Sequence, residues 1–195
     1  APSLDLTGAT TFGDATSFLY TGASPIQSNV APGTIKSLQA CVLRGKALTG
    51  AGASLPGVVI SVLGHPEFGF TVTRADGMFD LAVNGGETLS VKYAKAGFFE
   101  VQRRVAAPWQ DFAMVDDIVM TAMDPVVTPV TLGPAAPMQV AQGTEQTDVS
   151  GHRRATIIFP AGVTATLIMP DGSTQPTDSL HVRATEFTTG PSGPA

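Results

Sequence analysis

Between Leu38 and Met120, apolar and polar residues alternate in short runs broken by glycine, proline and aspartate, the period-2 pattern of half-buried strands. Ala40 to Leu48 and Val58 to Leu63 read as the first two strands. Phe70 and Val72 then alternate with Thr71 and Thr73, Ala75-Asp76-Gly77 supplies a turn, and Phe79, Leu81 and Val83 resume the alternation. This segment predicts a hairpin whose buried face carries Phe70, Val72, Phe79, Leu81 and Val83. Asn84-Gly85-Gly86 marks the next turn, and Leu89, Val91 and Tyr93 define a fifth strand. Val101 to Val105 and Val115 to Met120 add two more, separated by Pro108-Trp109-Gln110-Asp111-Phe112. The spacing predicts an all-β fold, an antiparallel β-sandwich of about seven strands over residues 38–123, followed by a smaller β-region.

The flanks differ in texture. Residues 1–37 are rich in Thr, Ser, Gly, Ala and Pro around one apolar cluster, Phe18-Leu19-Tyr20, and predict an extended leader lying on another surface. Residues 124–136 read as a linker holding one short strand, Val126 to Leu132. Residues 137–189 carry the apolar, β-branched segments Arg154 to Phe159, Thr164 to Met169 and Leu180 to Thr185, with Pro170-Asp171-Gly172 as a tight turn. Three or four strands are marginal alone, so this half is expected to lean on the sandwich or on a neighbour. Residues 190–195 read as a flexible tail.

Composition sharpens this picture. Hydrophobic residues at 43% and a mean hydropathy of +0.20 exclude a disordered chain. Charged residues at 14% fall well below the roughly 25% of ordinary soluble domains, which predicts faces covered by other protein. A net charge of -5 excludes nucleic-acid binding through a general phosphate field, and the pairs Arg103-Arg104 and Arg153-Arg154 are too small to supply one. No apolar run approaches the roughly 20 residues of a membrane span. The chain opens on Ala1 without methionine, so it reads as a section of something longer, with any export signal elsewhere.

Candidate chemistry is sparse. Cys41 cannot form an internal disulfide and, in an apolar strand, is expected to be a buried, inert thiol. His65, His152 and His181 have no metal-ligand spacing and no nearby nucleophile. Asp76 is expected to bond its own backbone in a turn, since Asp76 to Asp80 lacks the alternating oxygens of a calcium loop. No catalytic residue, metal or cofactor is expected. Trp109, the only tryptophan, lies near Phe98, Phe99 and Phe112 in sequence. Exposed, these aromatics would bind sugar or peptide; the favoured role is packing, with Phe98, Phe99, Trp109 and Phe112 as interface candidates.

Taken together, Leu43-Arg44-Gly45-Lys46, Leu55-Pro56-Gly57-Val58 and Thr73 to Leu81 resemble the carboxypeptidase regulatory-like, or transthyretin-like, sandwich. Hydroxyisourate hydrolases share that fold, but this chain lacks their tyrosine-containing ending, so no reaction is carried over. Over Leu43 to Met120, His65-Pro66-Glu67-Phe68-Gly69-Phe70, Asp80-Leu81, Asn84-Gly85-Gly86 and Pro108-Trp109 together resemble the corresponding module of teneurins and bacterial RHS or YD-repeat proteins. The resemblance implies a non-catalytic organising module of a secreted or cell-surface bacterial protein, one that caps or positions a toxin-enclosing shell. Its implied partners are the plug, propeller and YD barrel downstream in the same polypeptide. Residues 137–189 are then either the start of the plug or a separate small β-domain. The alternative is an extracellular module for adhesion or carbohydrate binding, with a cell-surface glycan or protein as partner.

Overall fold

The computed structural model describes residues 10–148 and 151–186, and the chain divides into two compact units between Ala122 and Met123. In the first unit, β1 (Ala40–Thr49), β2 (Val59–Val62), β3 (Phe70–Val72), β4 (Met78–Asn84), β5 (Glu87–Ala94), β6 (Val101–Ala107), β7 (Asp111–Met114) and β8 (Ile118–Met120) form two sheets. One has the order β4-β1-β7 with β8 continuing along β1; the other runs β3-β2-β5-β6. Cys41, Leu43, Phe79, Leu81 and Val83 of the first sheet meet Ile60, Val62, Leu89, Val91 and Tyr93 of the second in one buried core. This is the expected all-β sandwich. Most pairings are antiparallel, but β7 and β8 both run parallel to β1.

The expected hairpin over residues 70–83 is not one. β3 pairs with β2 and β4 pairs with β1, so the turn at Asp76-Gly77 carries the chain from one sheet to the other. The turn itself forms as expected: Asp76 Oδ1 accepts the Met78 N–H at 2.9 Å. Gly77 is at φ +78°, and a Cβ there would stand 2.6 Å from the Ala47 carbonyl. Its contact is therefore with β1, which draws β4 away from β3.

The face of β3 is also the reverse of the alternation reading. Thr71 and Thr73 are buried, whereas Val72 is exposed. Thr73 is held inside by hydrogen bonds: its Oγ1 donates to the Leu55 carbonyl at 2.7 Å and accepts the Val58 N–H at 2.9 Å. A side-chain hydroxyl there satisfies backbone that the sheet leaves unpaired, so the polar residue faces in.

Residues 10–39 are not extended. Phe12–Thr16 is a short helix, α1, with Thr11 as its N-cap, followed by a 3₁₀ turn at Ser17–Leu19. Leu19 is buried on Val42 and Ala82, with Phe12, Phe18, Tyr20 and Ile35 packed around them. The leader thus covers the outer face of the β4-β1-β7 sheet.

The second unit consists of paired strands: β9 (Thr128–Thr131), β10 (Gln139–Gln142), β11 (Gln146–Asp148), β12 (Gly151–Arg153), β13 (Thr156–Phe159), β14 (Ala165–Ile168), β15 (Thr174–Thr177) and β16 (Ser179–Val182). Among the described residues they pair two by two, as β9-β16, β10-β13, β11-β12 and β14-β15. Residues 124–136 belong to this unit and do not act as a linker: Val130 is buried in β9, and Asp124 ties residues 126 and 144 together. The Asp124 carboxylate accepts the Val126 N–H, the Thr144 N–H and the Thr144 hydroxyl. Burial alone would raise the Asp124 pKa, but the N–H groups of Thr144 and Val126, the Thr144 hydroxyl and the charge of Arg183 bring it below the ordinary aspartate value. The tail at 190–195 lies outside the described residues.

Candidate interaction surface

The four aromatic candidates stand at different places on the first unit. Phe98 is partly buried against the core and bridges to Ala122, while Phe99, 42% exposed, donates its N–H to the Thr121 carbonyl. Both follow the end of β5. Trp109 lies beside Gly86, just before β5 begins. Eight strand residues separate the two ends, roughly 25 Å at about 3.3 Å per residue. Phe98 and Phe99 therefore form no patch with Trp109. Closeness in sequence was misleading here, because β6 runs the length of the sandwich between them.

Trp109 is 62% exposed, and its position is set by glycines. A Cβ on Gly85 would stand 1.9 Å from the Pro108 carbonyl, and one on Gly86, at φ +100°, would stand 2.3 Å from Trp109 Nε1. The Gly86 N–H donates to the Ala107 carbonyl and the Gly85 N–H to the Gln39 carbonyl. Asn84-Gly85-Gly86 and Pro108-Trp109 are thus two halves of one contact. The pattern in the sequence has a steric cause.

Phe112 was expected in a loop but lies in β7, beside Val42 on the outer face of the sheet. Its ring meets Phe12 of the leader edge to face at 5.1 Å, and the Arg44 guanidinium lies 4.6 Å from its centroid. Arg44 Nε also donates to Asp80 Oδ1 at 2.5 Å, and Arg74 donates to Asp80 Oδ2 at 2.7 Å. Asp80 is buried between two half-exposed arginines, so its charge is paired twice. No motif in the sequence marks this pairing, because Arg44 lies 36 residues from Asp80 and Arg74 reaches it only across the turn before β4. Leu38, 70% exposed, lies at the same end of the sandwich as Trp109, since Gln39 and Ala40 bond Gly85 and Gln110 there. No periodic signal marks it, because it falls in a 3₁₀ turn.

The polar candidates stay apart. His65 contacts Glu67 at 2.9 Å and stacks on Phe68, His152 contacts Thr147 at 2.9 Å, and His181 lies in β16. The bond from His65 holds the Glu67 pKa below the ordinary glutamate value. Among the described residues, no group of three or more His, Cys, Asp or Glu is placed to hold a metal ion. Cys41 is fully buried, and burial pushes its thiol up to about 11, which removes the reactive thiolate at neutral pH. A cleft of about 360 Å³ opens where the β6 edge faces the β7–β8 segment, lined by Arg103, Arg104, Asp116 and Asp117 over Val105 and Ile118.

The family described as Teneurin TTR-like domain matches residues 35–120, the span of both sheets and of the glycine–tryptophan contact. Residues 35–120 are similar to a teneurin transthyretin-like domain. Among the relatives, mouse Teneurin-3 is 42% identical over 115 residues, 57% of this chain and 4% of that protein. Teneurin-m of Drosophila melanogaster is 37% identical over 98 residues, 50% of this chain and 4% of that protein. The chain therefore spans only a few per cent of the length of these curated relatives. Among solved structures, the Bacillus anthracis TIE protein aligns at a TM-score of 0.39 and 14% identity, over 72% of this chain and 31% of that one. The matched stretch ends at Met120, next to the point where the chain passes into its second unit. No described helix is long and apolar enough to cross a membrane.

Proposed function

We infer that this chain is a non-catalytic organising segment of a larger teneurin-like RHS or YD-repeat protein, secreted or at the cell surface, and of bacterial origin. The observation that carries this reading is the apolar surface of the second unit. Val140 and Ile158 are directly paired across β10 and β13, and both are exposed, as are Met138, Leu167 and Ile168. Two-stranded ribbons of this kind are marginal by themselves and become stable when a further layer covers them. The proposed covering layer is downstream protein of the same polypeptide, its plug, propeller or barrel. At the other unit, Trp109 and Leu38 offer a second contact. The test is to mix this chain with the downstream segment of its parent. A complex on size exclusion that is abolished by Ile158→Lys supports the reading; no complex with either chain refutes it.

A second reading, an adhesion or carbohydrate-binding module, draws on the exposure of Trp109. It predicts a saturable change in Trp109 fluorescence with a glycan, lost in Trp109→Ala. A flat titration across a glycan panel refutes it.

A further inference from the structure

A β-sandwich has two open sides, where the edge strands of its two sheets leave backbone groups without a ladder partner. In the first unit one such side lies between β3 and β4, the edge strands of the two sheets. The Ala82 N–H donates to Gln27 Oε1 at 2.7 Å, and Gln27 Nε2 donates to the Ala82 carbonyl at 2.8 Å. Both backbone groups of Ala82 therefore point away from β1, and one side-chain amide satisfies them as a neighbouring strand residue would. The second hydrogen of Gln27 Nε2 goes to the Phe68 carbonyl at 2.6 Å. Gln27 is only 1% exposed, and all three of its hydrogen-bonding positions used here are filled.

The next residue treats the other sheet in the same way. The Ser28 N–H donates to the Phe70 carbonyl at 2.8 Å, and the Phe70 N–H donates to the Ser28 carbonyl at 3.0 Å, a bridge to β3. Gly69 permits this approach, since a Cβ there would stand 2.0 Å from the Ser28 carbonyl. Further along, Asn84 at the end of β4 donates from Nδ2 to the Thr34 carbonyl and accepts the Lys36 N–H. Leu19 and its aromatic neighbours add apolar contact with Val42 and Ala82.

The geometry points to residues 10–39 as a strap that is an intrinsic part of this domain, although the family match begins at residue 35. The strap closes the β3/β4 side by substituting one glutamine side chain for an edge strand on β4 and one backbone bridge for an edge strand on β3. The surface it occupies fits a segment with a glutamine at the edge and an aliphatic and aromatic cluster some eight residues before it. Occupying that surface keeps both edges from pairing with a strand of another chain.

The experiment uses the full chain. Hydrogen exchange followed by NMR compares the wild type with Gln27→Ala: the Ala82 amide exchanges at least tenfold faster in the variant, while Leu81 and Val83, whose amides face β1, stay protected. Independently of that variant, a protease site placed at exposed Gly33 lets the wild-type strap be cut from β1. The cut strap co-elutes with the rest of the chain on size exclusion. Unchanged Ala82 protection in Gln27→Ala overturns the proposal. So does a cut strap that departs and leaves a monomer with an unaltered melting temperature.

Discussion

Replacing Gly45 by alanine tests the packing logic of the core most directly. Gly45 sits in the middle of β1, opposite Phe79 across the sheet. A Cβ at this position would stand 2.9 Å and 3.0 Å from two Phe79 ring carbons and 3.1 Å from Val115 Cβ. Carbon atoms in good contact are about 3.5–4.0 Å apart, so the overlap is about 0.4 Å or more on three atoms. Phe79 is fully buried and fixed edge to face on Tyr93 at 5.7 Å, so it has no free direction of retreat. Overpacking of this size costs about 1–3 kcal/mol, set against roughly 0.5–1 kcal/mol regained by removing a strand glycine. Gly45→Ala is therefore expected to destabilise the domain by about 1–2 kcal/mol in urea unfolding. Trp109, the only tryptophan, reports on this unit alone. Phe79→Leu shrinks the opposing group, so the double variant is expected to be less destabilised than the sum of the singles by about 1 kcal/mol. A neutral or stabilising Gly45→Ala, or strict additivity with Phe79→Leu, refutes the argument.

Gly86→Ala puts a side chain at φ +100° and into the Trp109 ring, so acrylamide should quench Trp109 more strongly and stability should fall by about 1–2 kcal/mol. Asp80→Ala removes the shared partner of two arginines and should cost about 2–3 kcal/mol, whereas Arg44→Ala or Arg74→Ala, each leaving the carboxylate one partner, should cost about 1 kcal/mol in urea melts. The folded-state pKa of Asp124 is lowered, so its contribution is fully present above the unfolded value and is lost as pH falls through the folded one. The Thr144 and Val126 amide proton shifts should accordingly titrate together with a midpoint below the ordinary aspartate value of 3.8, and Asp124→Asn should abolish the titration.

Much of the sandwich was legible because its strands obey a simple alternation. Leu43, Phe79, Leu81, Leu89, Val91 and Tyr93 all face the core as the pattern implies. The pattern failed at β3, where threonine suits either face of a sheet and only the partners of the Thr73 hydroxyl decide between them. It also failed where the chain changes sheets, since the bonds within the Arg74–Met78 turn are the same whether or not the flanking strands pair. The strap was invisible for a different reason. Its hold depends on one amide reaching backbone 55 residues away, and a lone Gln27 in a stretch of small polar residues carries no periodic signal. The interface candidates were named by proximity in sequence, and the strand order then sent them to opposite ends.

The parallel pairing of β1 with β7 and β8 bears on how the molecule is made. β1 leaves the ribosome early, but Val42 gains its Phe112 neighbour only 70 residues later, and Leu48 waits as long for Val119. Until then the first sheet is limited to β1 and β4, with one flank of β1 unzipped. Contacts that distant delay closure, because the intervening loop must be ordered before they reward it. Translation halted before Asp111 would leave a chain whose central strand still offers a free flank to any nascent neighbour. The domain is thus completed only by its last two strands, and its central strand is open on one flank until they are made.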